Sequence, residues 1–273
     1  MTIAKPMKIF QSKTILFLAL ISLQYAYVIA QELGTANEKG LWVARQIDRE
    51  DTGFVNQVSQ ARMTLRNKQG QESTRSMTIK SFEVEGDGDK SLTIFSSPRD
   101  VKGTAFLSFT HALEPDDQWL FLPALKRVKR ISSSNKSGPF MGSEFAYEDI
   151  SSQEVEKYTY QYIREEEVLG SKGHVIERVP VDPKSGYTKQ VVWIDGANWR
   201  IGKIDFYDRK GEKLKTLTFE DYKQYSNEKW RSNRMEMVNH QSGKSTQLVW
   251  SDIKFGQDLT ERDFDQNALK RAR

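Results

Sequence analysis

Hydrophobic and polar residues alternate in short runs along most of the chain, and turn-forming segments separate these runs. Met63 and Leu65 alternate with polar residues, as do Met77 and Ile79, while "NKQGQ" and "GDGD" supply turns. A period of two residues is typical of strands with one covered face. The first half of the chain is therefore predicted to form strands joined by short turns.

The second half shows the same pattern more regularly. Runs of β-branched and aromatic residues are separated by "LGSKG", "VDPKSG", "DGAN" and "DRKG", which indicates an antiparallel meander. Helical spacing is confined to "NEKGLWVARQID", to a turn near residues 145–150 and to the tail "DLTERDFDQNALKR". The sequence thus predicts a mainly β fold, with a few helices and a single antiparallel sheet of about ten strands that curls at this size.

The first 30 residues have the pattern of a secretory signal peptide. Three lysines precede the apolar run "TILFLALISLQYAYVIA", and Val28 and Ala30 supply the small residues of a cleavage site. A transmembrane anchor is the alternative, but the run is short for a span and contains polar residues. We therefore expect residues 1–30 to be removed on secretion and residues 31–273 to form the exported domain.

Composition narrows the class of protein further. The chain has 41 Lys and Arg against 37 Asp and Glu, and three of the lysines fall within the first 30 residues, which contain no acid. The exported part is therefore close to neutral and has little counterion release to drive binding of nucleic acid. The chain contains no cysteine, which excludes disulfides and a cysteine-linked lipid anchor. Its mean hydropathy of −0.65 excludes an integral helical membrane protein.

Motifs of catalysis and metal binding are missing from the sequence. The segment "HQSGKST" has Val238 where a phosphate-binding loop needs its first glycine, and a strand-like run follows it. His111, His174 and His240 lie far apart, and neither HExxH nor GxSxG occurs. We predict no catalytic residue, metal site or cofactor. A hydrolase that uses scattered carboxylates stays as an alternative, and its mark would be two pocket carboxylates with opposed pKa shifts.

The stretch that begins at Trp119, "WLFLPALKRVKRISSSNKSGPFMGSEFAYEDI", joins an apolar strand to a basic hairpin. Both faces of "WLFL" are apolar, as expected of a strand covered on both sides. The basic residues can be a solvated hairpin, or they can form a rim that docks anionic headgroups or an acidic partner. These predicted docking residues are Lys126, Arg127, Lys129 and Arg130.

Glycines in "KSGPFMGSEF" indicate a flexible flap that carries Phe140, Met141 and Phe145. Met and Phe suit variable apolar ligands, although core packing is the commoner fate of such residues. Strand parity and apolar bulk select the candidate lining residues of an apolar cavity, some of which can equally be core. They are Met63, Leu65, Met77, Ile79, Phe95, Phe106, Trp119, Phe121, Phe140, Met141 and Trp193.

The segments "GTAFL", "DDQWLFLPALKRVKRIS", "SGPFMGSEFAYEDI", "VVWID…WRIGKIDFYDRKGE" and "FDQNALKR" resemble the LolA-like outer-membrane lipoprotein-sorting protein family. These segments are most similar to those of the branch of the family that is associated with RND-type exporters. The resemblance implies an open half-barrel whose concave face is plugged by helices, and whose apolar cavity carries acyl chains across the periplasm. It makes residues 31–273 a LolA-like lipid- or lipoprotein-binding domain located in the periplasm.

We therefore expect a periplasmic carrier or binder of lipid or lipoprotein acyl chains that touches membrane surfaces transiently. The alternative is an accessory protein that docks onto an RND-type exporter, using the basic rim and an acidic face at residues 144–149. In either case an inner-membrane transporter and an outer-membrane acceptor are the implied partners, and no nucleic acid is expected.

Overall fold

The structure is a computed structural model that describes residues 34–225 and 228–271. The predicted signal peptide lies outside the described residues. The two α-helices of the described chain are α1 (Ala36–Asp51) and α2 (Gln266–Arg271). The strands are β1 (Asn56–Arg66), β2 (Glu72–Phe82), β3 (Lys90–Ser97), β4 (Ala105–Phe109), β5 (Asp117–Leu122), β6 (Arg127–Ile131), β7 (Tyr158–Val168), β8 (Ser171–Pro180), β9 (Lys189–Asp195), β10 (Ile201–Tyr207), β11 (Lys213–Gln224), β12 (Trp230–Asn239) and β13 (Ser245–Phe255).

The strands form one antiparallel sheet in the order β6-β5-β4-β3-β2-β1-β13-β12-β11-β10-β9-β8-β7. Neighbours in sequence are neighbours in space, except that β1 pairs with β13 and joins the two halves. Ile131 at the end of β6 and Tyr158 at the start of β7 line one small cavity, so the sheet curls until its two edges approach. The predicted curled antiparallel sheet is confirmed. It has thirteen strands rather than about ten, because curling lets a sheet grow without flattening.

The inner face of the sheet carries the larger hydrophobic core. Met63, Met77 and Phe106 are almost fully buried there, together with Val192 and Leu248 from the other half of the sheet. Strand parity explains this set, because alternate residues of each strand point to the same side. The inner face is therefore the apolar side that the alternating pattern predicts.

Helix α1 lies on the inner face beside β7. Thr35 and Glu38 form a capping box at its start, in which the Thr35 side chain accepts from the Glu38 backbone N–H. A Cβ at Gly40 would stand 2.9 Å from the backbone of Gln161 and Tyr162, so glycine permits the close approach of helix and strand. Burial of Val43 and of Ala44 next to it fixes the helix on the sheet.

The segment that connects β6 to β7, residues 132–157, crosses the inner face and is here named the strap. It has no long helix but contains short 3-10 turns, among them Phe140–Gly142, Tyr147–Asp149 and Val155–Lys157. Phe140, Phe145 and Val155 are buried in the inner core. Helix α1 and the strap thus fill part of the inner face, as the resemblance implies.

The outer face of β3, β4 and β5 has a separate core. The 3-10 turn Glu261–Phe264 and helix α2 place Phe264, Ala268 and Leu269 against Leu92 and Leu107. The terminal helix predicted from "DLTERDFDQNALKR" is present, but it covers the outer face rather than the inner one. This explains why both faces of β5 are apolar.

Candidate functional site

A cleft of about 960 Å³ opens on the inner face where the strap ends. Its walls come from the second half of α1, the β2–β3 hairpin, the end of the strap and the inner face of β8 to β12. This volume lies at the upper end of the range for small-molecule sites, about 300–1,000 Å³. The apolar lining includes Ala44, Ile47, Phe54, Val155, Tyr160, Ile176, Val192, Trp199, Ile201, Phe219, Tyr222, Trp230 and Met235.

The region of the inner face in front of β2 to β4 is filled by the protein itself. The Phe140 ring centroid lies 5.1 Å from that of Phe106, 6.1 Å from Phe95 and 5.6 Å from Tyr147. Met141 adopts φ 51°, and its carbonyl oxygen accepts a hydrogen bond from Arg75 of β2. The strap therefore closes the region in front of β2 to β4 and leaves the region in front of β8 to β12 open.

The structure separates the predicted cavity residues into three groups, and none of them borders the cleft. Buried in the inner core are Met63, Met77, Phe95, Phe106 and Phe140, and partly buried against it are Leu65, Ile79 and Met141. Trp119 and Phe121 pack against α2 on the outer face. Trp193 also faces outward, because its neighbours Val192 and Ile194 point inward, and Lys203 lies 3.6 Å over its ring.

The predicted docking residues lie on and beside the edge strand β6. Lys126, Arg127, Lys129 and Arg130 are all exposed, and Arg130 pairs with Asp117. Charged side chains on an edge strand also hinder pairing with another sheet. The basic rim is thus available to a partner.

Asp149 cannot belong to the acidic face suggested at residues 144–149, because it is a buried anchor of the strap. Its carboxylate accepts from Lys215 Nζ at 2.7 Å and from Tyr187 Oη at 2.9 Å. Lys215 Nζ also donates to the Glu144 carbonyl oxygen at 2.9 Å. The side chains of Lys215 and Asp149 are only 5% and 4% exposed, so each charge depends on the other.

The mouth of the cleft is acidic. Its carboxylates come from the end of α1, the β2–β3 hairpin and the strap: Asp48, Glu50, Asp51, Glu83, Glu85, Asp87, Asp89, Glu154 and Glu156. Burial, with smaller contributions from Asp51, Glu154 and Glu83, raises the pKa of Asp89 to about 7. Burial likewise raises the pKa of Asp48. Crowded carboxylates therefore favour protonation at the mouth.

Asp87 and Asp89 have the opposed pKa shifts that would mark a carboxylate hydrolase. The hydrogen bond with His111, followed by that from the Ala112 N–H, lowers the pKa of Asp87 to about 2. Both Asp87 oxygens are engaged, one 2.7 Å from His111 Nδ1 and the other 2.9 Å from the Ala112 nitrogen. Each Asp87 oxygen takes part in one of these contacts, which hold the β2–β3 hairpin against the segment that follows β4.

The two aspartates should change the pH dependence of stability in opposite directions. The folded-state pKa of Asp89 lies above its unfolded value of about 3.9, so its stabilising contribution is present at pH 4 and lost as pH rises through 7. We expect Asp89→Asn to be more stable than the wild type at pH 8 and equally stable at pH 4. Urea unfolding at both pH values measures this.

Asp87→Asn is the matched variant. In the wild type, the lowered pKa of Asp87 stabilises the fold above pH 4, and this stabilisation disappears as pH falls through about 2. Asp87→Asn should therefore be less stable than the wild type at pH 8. Equal stability of Asp89→Asn and the wild type at pH 8 would contradict the burial of Asp89.

Three arginines also line the cleft, and two of them have carboxylate partners. Arg200 pairs with Asp195 at 2.7 Å, and Arg231 pairs with Asp51 at 2.6 Å. Arg178 is 7% exposed and pairs with no carboxylate in the described part of the chain. Within the described residues, no group of three or more His, Asp or Glu side chains is placed to hold a metal ion. No helix of residues 34–225 or 228–271 could span a membrane.

Comparisons with known proteins give consistent results. A family model described as an uncharacterized protein matches residues 87–271. No curated protein matches the chain. The crystal structure of an outer membrane lipoprotein-sorting protein domain from Vibrio parahaemolyticus is 57% identical and covers 86% of this chain and 100% of its own, with a TM-score of 0.84.

Two further crystal structures extend the comparison. A DUF1329 family protein from Desulfovibrio piger is 30% identical over 86% of this chain and 100% of its own, with a TM-score of 0.81. A LolA superfamily protein from Nitrosomonas europaea has the same fold, with a TM-score of 0.68 at 23% identity over 86% of this chain and 99% of its own. The chain belongs to the LolA-like outer-membrane lipoprotein-sorting protein family.

Proposed function

We propose that the protein is a periplasmic carrier or binder of acyl chains, from lipids or from lipoproteins. The bound acyl chain occupies the cleft on the inner face. The observation that carries this proposal is the cleft itself, which is about 960 Å³ in volume and lined by apolar side chains. The 57% sequence identity between this protein and a lipoprotein-sorting domain supports the same role. The predicted signal peptide at residues 1–30 supports export to the periplasm.

The energetics of acyl transfer explain why such a cleft is useful. Burial of each methylene gains about 0.8 kcal/mol, so a palmitoyl chain gains on the order of 12 kcal/mol relative to water. A free chain therefore leaves a membrane very rarely. A cleft lined by Ile176, Val192 and Met235 offers a similar apolar environment and makes the transfer nearly neutral. A carrier also needs a donor and an acceptor, and the exposed basic residues of β6 are available for such contacts.

Binding of a fluorescent acyl probe to delipidated protein tests the proposal. We expect saturable binding at a defined stoichiometry, and we expect Met235→Glu to weaken it at least about tenfold, because a charge in the apolar wall disfavours the chain. Val238→Glu is the matched control, since Val238 lies on the same strand but is 38% exposed on the other face. Non-saturable binding, or equal loss in both variants, would refute binding in the cleft.

A further inference from the structure

Arg178 is a buried cation whose observed partners are all neutral. It lies on β8 beside Ile176 on the inner face and borders the cleft. Its Nε donates to Gln190 Oε1 at 2.8 Å, and its Nη2 donates to Gln153 Oε1 at 2.9 Å. Its guanidinium carbon lies 4.4 Å from the ring centroid of Tyr158. These contacts fix the position of the guanidinium group, but none of them neutralises its charge.

Two carboxylates near this site, Glu148 and Asp149, are held by other groups. The charges of Glu148 and Asp149 act on Tyr158, the residue beneath Arg178. However, Glu148 accepts from Ser185 Oγ at 2.8 Å and from the Gly186 nitrogen at 2.9 Å. Asp149 is held by Lys215. Both carboxylates thus bind to other groups.

A buried charge without a counter-charge is costly, so a cation in this position indicates an anion that binds from the cleft. The Nη1 of Arg178 makes no hydrogen bond to a described residue and is free to donate. The planar guanidinium group matches the oxygen pairs of carboxylates and phosphates, and such charge-assisted bonds are among the stronger ones in proteins. Gln153, Gln190 and Tyr158 hold it in one orientation.

We infer that Arg178 binds the anionic headgroup, a carboxylate or phosphate, of an amphiphile whose acyl chain occupies the cleft. This inference rests on the proposed function and narrows the ligand to a lipid that carries an oxyanion next to its chain. Ile176, two residues before Arg178, faces the same cleft. The acyl chain and the headgroup of one ligand can therefore both contact β8. Of the three arginines that line the cleft, Arg178 is the one with no carboxylate partner among the described residues.

Ligands with one chain and different headgroups test the inference. Palmitate, hexadecyl phosphate, hexadecanol and hexadecylamine are compared by displacement of the fluorescent acyl probe. We expect either or both anionic ligands to bind at least about tenfold more tightly than hexadecanol, since a hydrogen bond between two charged groups is stronger than one to a neutral hydroxyl. The amine should bind most weakly. Arg178→Met should abolish this preference, and Arg178→Lys should retain part of it.

Stability separates this role from a structural one. Removal of an uncompensated buried cation should leave the Tm of Arg178→Met unchanged or raise it, whereas loss of a structural hydrogen-bonding residue should lower both the Tm and the binding of every ligand. Arg66→Met is the matched control, because Arg66 is half exposed and pairs with Glu72 on the β1–β2 hairpin. It should keep the preference for anionic ligands.

The outcomes distinguish the two claims. If none of the four ligands displaces the probe, the proposed function fails and the inference fails with it. If all four bind alike to the wild type, or if Arg178→Met keeps the preference, only the inference is overturned. Inorganic phosphate that binds as tightly as hexadecyl phosphate would also overturn it, because the site would then recognise a free oxyanion rather than a lipid.

Discussion

Asp149→Ala is expected to lower the free energy of unfolding by about 3–5 kcal/mol, because it leaves the buried ammonium group of Lys215 without a counter-charge. The same substitution removes the acceptor of the Tyr187 hydroxyl and of the Ala146 N–H. The turn Tyr147–Asp149 should therefore detach from β9 to β11 before the sheet unfolds. Chemical denaturation measures the first effect, and limited proteolysis within the strap measures the second.

A second substitution and a surface pair serve as controls for Asp149→Ala. Adding Lys215→Met removes the unpaired charge, so the double variant should recover a large part of the lost stability. Glu72→Ala breaks the ion pair between Glu72 and Arg66, in which both side chains are nearly half exposed. It should lower the free energy of unfolding by no more than about 1 kcal/mol. A loss of similar size for Asp149→Ala and Glu72→Ala would show that the strap is not held by the buried pair.

Phe140→Ala should cost about 3–5 kcal/mol, since it removes a ring that is 1% exposed and packed between Phe106 and Tyr147. The surrounding sheet cannot collapse into the space, because its strands are held by their neighbours on both sides. Phe140 does not line the cleft, so the affinity for the acyl probe should stay within about threefold of the wild type, well under one kcal/mol. Denaturation and probe binding are measured on the same variant.

The matched control for Phe140→Ala is Leu125→Ala. Leu125 is 67% exposed at the turn before β6, and its loss should change stability by no more than about 0.5 kcal/mol. Near-wild-type stability of Phe140→Ala would mean that the strap does not fill the inner core. Loss of acyl binding in a folded Phe140→Ala protein would place the chain in the filled region instead.

The alternating pattern was enough to predict the curled sheet, because parity decides which side chains share a face. Met63, Met77 and Phe106 lie on the inner face for this reason. The same reasoning cannot choose between the faces of β5, where both sides are apolar. Trp119 and Phe121 are covered by α2, which comes from the far end of the chain. That contact is long-range and leaves no local mark in the sequence.

The location of the cleft was not predictable from local pattern either. It depends on where the strap stops covering the inner face, and this is decided by tertiary contacts such as the buried pair of Lys215 and Asp149. Apolar bulk selected Trp193, whereas its smaller neighbour Val192 faces the cleft. One local signal was available at Arg178, which lies two residues after Ile176 on β8 and therefore on the same inner face of the sheet. A charged residue at an inward position indicates a special role.

Photolabelling with a diazirine analogue of palmitate, followed by peptide mapping, locates the acyl chain directly. A chain in the cleft should label Ile176, Val192 and Met235, and excess unlabelled palmitate should compete with this labelling. Labels confined to Trp119 and Phe121 on the outer face, or labelling without competition, would contradict carriage of an acyl chain by the inner face.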